Sequence, residues 1–185
     1  MDASAPADRP AEGPVRISRA GVRRGCVAAL PLLLAVGPFG FIFGIVATER
    51  GLDLAQTMVM TATVIAGASQ LATVQLVTDG APVLLAVFAG AVVNLRIAMY
   101  SASLAVWWQG VPLGMRLLVA PVLHDQSYAL AVQRYQRKVE PLGDRVGFYL
   151  GIGLLTATTW TAATWAGATL GERLLGGEID IGFMV

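Results

Sequence analysis

The chain has 185 residues, of which 56% are hydrophobic and 14% charged, with a formal net charge of +1 and a mean hydropathy of +0.66. Soluble domains carry about 25% charged residues, so this chain has too little polar surface to cover a water-facing globule. Its balanced charge gives no basis for binding nucleic acid. One cysteine, Cys26, and one histidine, His124, offer neither a disulfide framework nor a metal cluster, and no cofactor is expected.

The first 24 residues, rich in Ala, Pro and charge, read as a disordered tail that cannot bury enough apolar area to order itself. Residues 25–185 read as a transmembrane domain. Five apolar segments follow in order: about Cys26 to Thr48, Leu54 to Thr78, Pro82 to Trp108, Leu113 to Val132 and Val146 to Leu170. About 20 apolar residues cross a bilayer core as a helix, so the expected fold is all-α, a polytopic transmembrane bundle of about five helices. Pro31 and Pro38 are expected to kink the first helix. With five crossings and a cytoplasmic N-terminus, nine basic residues lie inside and three (Arg50, Arg116 and Arg173) outside, and Arg96 lies in the membrane. If the third segment were a re-entrant hairpin and the fourth also failed to cross, the same parity would survive. The chain stops at "EIDIGFMV", where another apolar run begins, and this suggests the N-terminal part of a longer bundle.

Arg96 stands near the centre of the third segment. A guanidinium there costs at least about 2.5–3.5 kcal/mol on insertion scales, so it needs a partner inside the bundle. Arg96, Tyr100, Ser103 and Trp107 share one helical face. Asn94 lies about 200° round an ideal helix, so it joins Arg96 in one site only if the helix is distorted. The acid inside an apolar segment is Asp125, a candidate partner for Arg96 in either a structural or a functional role.

The second segment contains "VIAGASQLATVQL". Its small residues, Gly67 to Ser69, suit close helix packing or an unwound stretch whose backbone faces a ligand. Gln70 is a buried amide that needs partners and could meet a polar substrate. In the fourth segment His124, Ser127 and Tyr128 share a face with Asp125 beside it. His124 and Asp125 suit proton coupling, or else a hydrated helix end. The fifth segment is rich in Thr, and its Thr158, Thr161, Trp165 and Thr169 face reads as helix packing. Gly40/Gly44, Gly147/Gly151 and Gly167/Gly171 have the spacing of close helix contacts. There is no phosphate-cradling Gly-Lys loop. Ser69 with His124 could be read as a protease dyad, but "GASQ" lacks the nucleophile-elbow pattern, and no enzyme is expected.

"PLLLAVGPFGFIFGIVA", "AGASQLATVQL", "AVVNLRIAMYSASLA" and "HDQSYALA" together resemble the AzlC-type permease family. That family provides the larger subunit of bacterial branched-chain amino acid exporters. The matching positions are Pro38, Gly40 and Gly44; Gly67, Ala68, Ser69 and Gln70; and Asn94, Leu95, Arg96 and Tyr100. His124-Asp125-Gln126 departs from the family's acidic pair. The resemblance implies a multi-pass protein of the bacterial inner membrane, with a small AzlD-type membrane subunit as partner. It also implies efflux of branched-chain or similar apolar amino acids, driven by the membrane gradient. On that reading Arg96 would engage the substrate carboxylate, and Asn94 and Gln70 would orient the zwitterion. Gly67 and Ser69 would let the backbone approach, with Tyr100 on the Arg96 face, and Asp125 and His124 would couple protons. The alternatives are a non-transporting structural or regulatory subunit, or a channel.

Overall fold

The computed structural model describes residues 15–64 and 66–175; the beginning of the expected tail and the "EIDIGFMV" run lie outside the described residues. Among the described residues the structure is all-helical: α1 (Arg19–Glu49), α2 (Leu54–Thr63), α3 (Gly67–Thr78), α4 (Val83–Trp107), α5 (Leu113–Val119), a 3-10 turn (Ala120–Val122), α6 (Asp125–Arg137) and α7 (Leu142–Leu175). Helix α1 starts at Arg19, inside the stretch read as tail, because Ser18 caps it by accepting from the Gly21 amide. It runs through Pro31 and Pro38 without interruption.

Helices α1 and α7 form the spine and run parallel. Both are lined with glycine, and their backbones touch. A Cβ on Gly25 would run into the Phe148 carbonyl, and one on Gly151 into the Val22 carbonyl. The three glycine pairs picked out by spacing all lie on this interface, as close packing of small residues requires.

Three helices, α1, α4 and α7, are long and apolar enough to cross a membrane. This corrects the expectation of five crossings, because the second and fourth apolar segments are each broken in the middle. Helix α2 begins where Leu54 N–H meets Glu172 near the end of α7, while α3 ends where Thr78 and Asp79 meet Arg50 just past α1. Both ends of this segment therefore lie at the same end of the bundle. Its turn reaches mid-length of the spine, where Gly67 packs against Phe39 and Trp160.

The fourth segment does the same from the opposite end. Arg116 of α5 bonds the Trp108 and Val111 carbonyls at that end. The chain then climbs along α7, through Tyr149 Oη to the Val119 carbonyl and His124 to Thr156. Helix α6 returns, and Tyr135 Oη reaches the Arg145 carbonyl. Two half-length hairpins thus enter from opposite ends and meet in the middle.

This arrangement is an inverted repeat. In α1–α2–α3 and in α4–α5–α6, a long helix ends near a glycine of positive φ (Gly51 at 89°, Gly110 at 90°). A helix N-cap follows two residues later, at Asp53 or Pro112. A short helix, a break and a second short helix complete each copy, the second break containing the 3-10 turn. The α4 axis runs opposite to α1, as inverted repeats demand. The repeat also moves Arg116 to the end that holds Arg16, Arg19, Arg23, Arg24, Arg134, Arg137, Lys138 and Arg145. That leaves Arg50 and Arg173 at the other end, so the charge asymmetry is sharper than five crossings would give.

Candidate functional site

The tips of the two hairpins meet at a cavity of about 210 Å3 lined by residues of both tips and of the three long helices. Helix α3 contributes its first turn. Its N-cap, Ala66, has no side chain able to cap, and the first amide bonded back into the helix is that of Gln70. The amides of Gly67, Ala68 and Ser69 therefore have no acceptor among the described residues, and the positive end of the helix dipole faces the cavity. Gly67 leaves room for Trp160, since a Cβ there would come within 2.8 Å of its ring.

Helix α6 presents its N-terminus from the other side. A capping box closes it: Ser127 Oγ accepts from the His124 amide at 3.0 Å, and His124 Nδ1 accepts from the Ser127 amide at 3.5 Å. The other imidazole nitrogen, Nε2, lies 3.0 Å from Thr156 Oγ1 and 3.4 Å from the Gly153 carbonyl. Gln126 Oε1 lies 2.9 Å from Nδ1. With the ring proton on Nε2 the Ser127 cap is kept, whereas a proton on Nδ1 would donate to Gln126 instead.

Arg96 enters from α4. Its Nη1 lies 3.1 Å from Asp125 Oδ2, and Tyr100 Oη donates to Asp125 Oδ1 at 3.0 Å. The Tyr100 ring stacks on Tyr128, whose hydroxyl donates to Ser103. The Arg96 face of α4 thus meets α6, and Asp125 is the partner of the arginine. The pair is only partly enclosed, with side chains 25% and 41% exposed. Arg96 Nε is buried without an acceptor, as is Trp160 Nε1. The remaining wall is apolar: Val36 and Phe39 of α1 and Trp160 of α7.

Of the residues singled out by sequence, the cavity brings together Gly67, Arg96, His124 and Asp125, with Tyr100 in contact through Asp125. Three others lie elsewhere. Asn94 sits on unbroken α4 helix away from the cavity, so the distortion needed to join it to Arg96 is absent. Gln70 is wholly buried and reaches Thr61 of α2 at 3.5 Å, which ties the two arms of the first hairpin. Ser69 donates to the Gly90 carbonyl at 3.1 Å, fastening α3 to α4. Neither Ser69 nor His124 bonds the other, so they form no dyad.

The Thr158, Thr161 and Trp165 face points outward instead of packing, with its threonine hydroxyls bonded back to their own helix. The buried polar positions in that helix are Thr156 and Thr164, and of these Thr156 lines the cavity. Sequence reasoning missed Gln126, Thr156, Phe39 and Trp160 as cavity residues. Gln126 was legible beside Asp125, whereas the other three look like ordinary residues of apolar helices.

A family model described as AzlC protein matches residues 31–174. The chain belongs to the AzlC family. The match covers α2 to α6 completely, and so includes both hairpins and every cavity residue. An Archaeoglobus fulgidus protein described as an uncharacterized membrane protein is 29% identical over 143 residues, 74% of this chain and 63% of its own length. The inner membrane protein YgaZ of Escherichia coli K12 is 26% identical over 185 residues, 97% of this chain and 73% of its own length. The chain therefore spans only part of the length of these curated relatives. No solved structure matches it at a significant level. Family membership and the apolar helices identify a membrane protein.

Proposed function

We propose that this AzlC-family chain is the large subunit of an exporter that carries branched-chain or similar apolar amino acids across the bacterial inner membrane. The observation that carries the reading is the cavity where two opposed half-helix N-termini meet one arginine–carboxylate pair. Broken helices that aim their N-termini at a mid-membrane site suit an anionic substrate group. An amino acid zwitterion fits the cavity's chemistry. Its carboxylate meets Arg96 Nε and the Gly67 and Ala68 amides. Its ammonium meets Asp125, with Gln126 and Thr156 beside it. Its side chain faces Val36, Phe39 and Trp160.

In this reading Gln70, Ser69 and Asn94 position the hairpins and α4 instead of touching substrate. Asp125, shared between Arg96 and Tyr100, and His124, poised between Ser127 and Gln126, are the proton-handling groups. The basic end of the bundle faces the cytoplasm, as the positive-inside rule favours, and places the N-terminus inside. A small AzlD-type subunit completes the transporter.

The test is leucine counterflow in membrane vesicles. Arg96→Ala abolishes it in protein that is folded and present at wild-type level, and Arg96→Lys restores only part, because lysine lacks the second donor edge. Asp125→Asn keeps counterflow but no longer responds to an imposed pH gradient. Unchanged leucine counterflow in Arg96→Ala removes the arginine, and with it this site, from the mechanism.

A further inference from the structure

The two aromatic residues of the cavity wall differ in burial. Trp160 is 7% exposed and fixed in the core, with its ring stacked on Phe43 at 6.0 Å between centroids. Phe39, one turn earlier on α1, tilts against the same indole at 5.7 Å but is 47% exposed. Both rings press on Gly67, where a Cβ would come 2.8 Å from Trp160 Cη2 and 2.9 Å from Phe39 Cε1. The uncapped amides at the α3 tip and the aromatic wall are therefore held at a fixed distance from each other.

The cavity that they border is small. An apolar cavity of about 150 Å3 holds benzene. By proportion, one of about 210 Å3 holds ~8 heavy atoms, the size of valine or leucine and well short of phenylalanine.

We propose that the Phe39–Trp160 wall sets the upper size limit on the side chain of the transported amino acid. Trp160 is the fixed face and Phe39 the residue that determines the limit. This rests on the reading of the cavity as an amino acid site. A shape limit of this kind is strong in one direction, since overfilling a pocket forces side chains and backbone apart. Truncating Phe39 opens room for about one ring, and replacing it with tryptophan removes room. Because Phe39 is half exposed, its truncation disturbs little of the core.

The test is leucine counterflow in vesicles from cells expressing the full chain, with alanine, valine, leucine and phenylalanine as unlabelled competitors. In the wild type, valine and leucine compete while phenylalanine is at least ~10-fold weaker, the scale on which one group too many is rejected. Phe39→Ala narrows the phenylalanine-to-leucine gap by ~10-fold or more. Phe39→Trp shifts preference the other way, so alanine gains on leucine. Leucine counterflow whose competitor ranking is unmoved by both Phe39 variants overturns the size limit alone. Absence of any amino acid counterflow in the wild type removes the transport reading and the limit together.

Discussion

The Arg96–Asp125 pair makes the most direct quantitative prediction. Replacing Asp125 by Asn leaves a guanidinium at mid-bundle facing a neutral amide, and replacing Arg96 by Gln leaves a carboxylate without its cation. Breaking a fully buried pair from one side costs about 3–5 kcal/mol, and an exposed pair is worth about 0–1 kcal/mol. These side chains are 25% and 41% exposed to the cavity, so about 2 kcal/mol for each single change is the expected cost. For a chain of this size that lowers the apparent melting temperature by about 4–8 °C. Removing both charges together leaves no stranded ion, so the Arg96→Gln/Asp125→Asn double variant should fall no further than either single. The coupling in the double-mutant cycle is then about 2 kcal/mol. The assay is thermal denaturation of the four purified proteins in one detergent at one scan rate, since unfolding of such proteins is often irreversible. Additive single effects would refute the claim that each charge is held in place by the other.

The two re-entrant hairpins are tested by cysteine labelling in a Cys26→Ser background. Cysteines at Asp53 and Asp79 should react from one side of the membrane, and those at Gln109 and Lys138 from the other; a crossing second segment would split Asp53 from Asp79. At the α1–α7 contact, Gly151→Ala should lower the melting temperature because its Cβ meets the Val22 carbonyl, at an overpacking cost of about 1–3 kcal/mol. Gly37→Ala, which meets only Thr159 Cγ2 at 4.0 Å, should be neutral or stabilising by up to about 1 kcal/mol through helix propensity; equal effects would argue against the close contact. Glu140, between α6 and α7, forms a two-bond pair with Arg134 that holds its carboxyl below the ordinary carboxylate value. Its contribution should be complete above the ordinary value of about 4.3 and lost as pH falls through the depressed native value. Glu140→Gln should therefore lower the melting temperature at pH 7 and converge with wild type in acid, and a gap that persists or widens in acid would contradict the pairing.

How much of this was legible in the residues varies with the feature. Arg96 declared itself by its cost, and its α4 face pointed to a partner. Asp125 was the acid within an apolar segment, so the pair could be guessed before either side chain was placed. The glycine pairs likewise announced an interface, although not that it joins the first helix to the last. Gln70 and Asn94 lie away from the cavity, because an amide in an apolar helix signals only that it needs a partner: Gln70 Nε2 reaches Thr61, while Gln70 Oε1 and Asn94 Oδ1 are buried without one. Phe39 and Trp160 gave no signal, since an aromatic residue that walls a cavity has the same composition as one that faces lipid.

By itself the sequence determined the class of the protein. Long apolar blocks with little charge can satisfy their backbone groups in lipid only as helices. The quoted motifs pointed to the family, and the family model bears that out. The tertiary structure decided which blocks form single helices long enough to cross. About 25 apolar residues suffice for one spanning helix or for two half-helices folded back, and hydropathy weighs both equally. The helix ends at Val64 and Ala66 and the break at Leu123–His124 are stable only because neighbouring helices enclose them, so their cost is repaid by contacts from distant parts of the chain. Long-range packing of that kind leaves no local periodicity to read, and it is what turns two helix ends and one arginine into a single site.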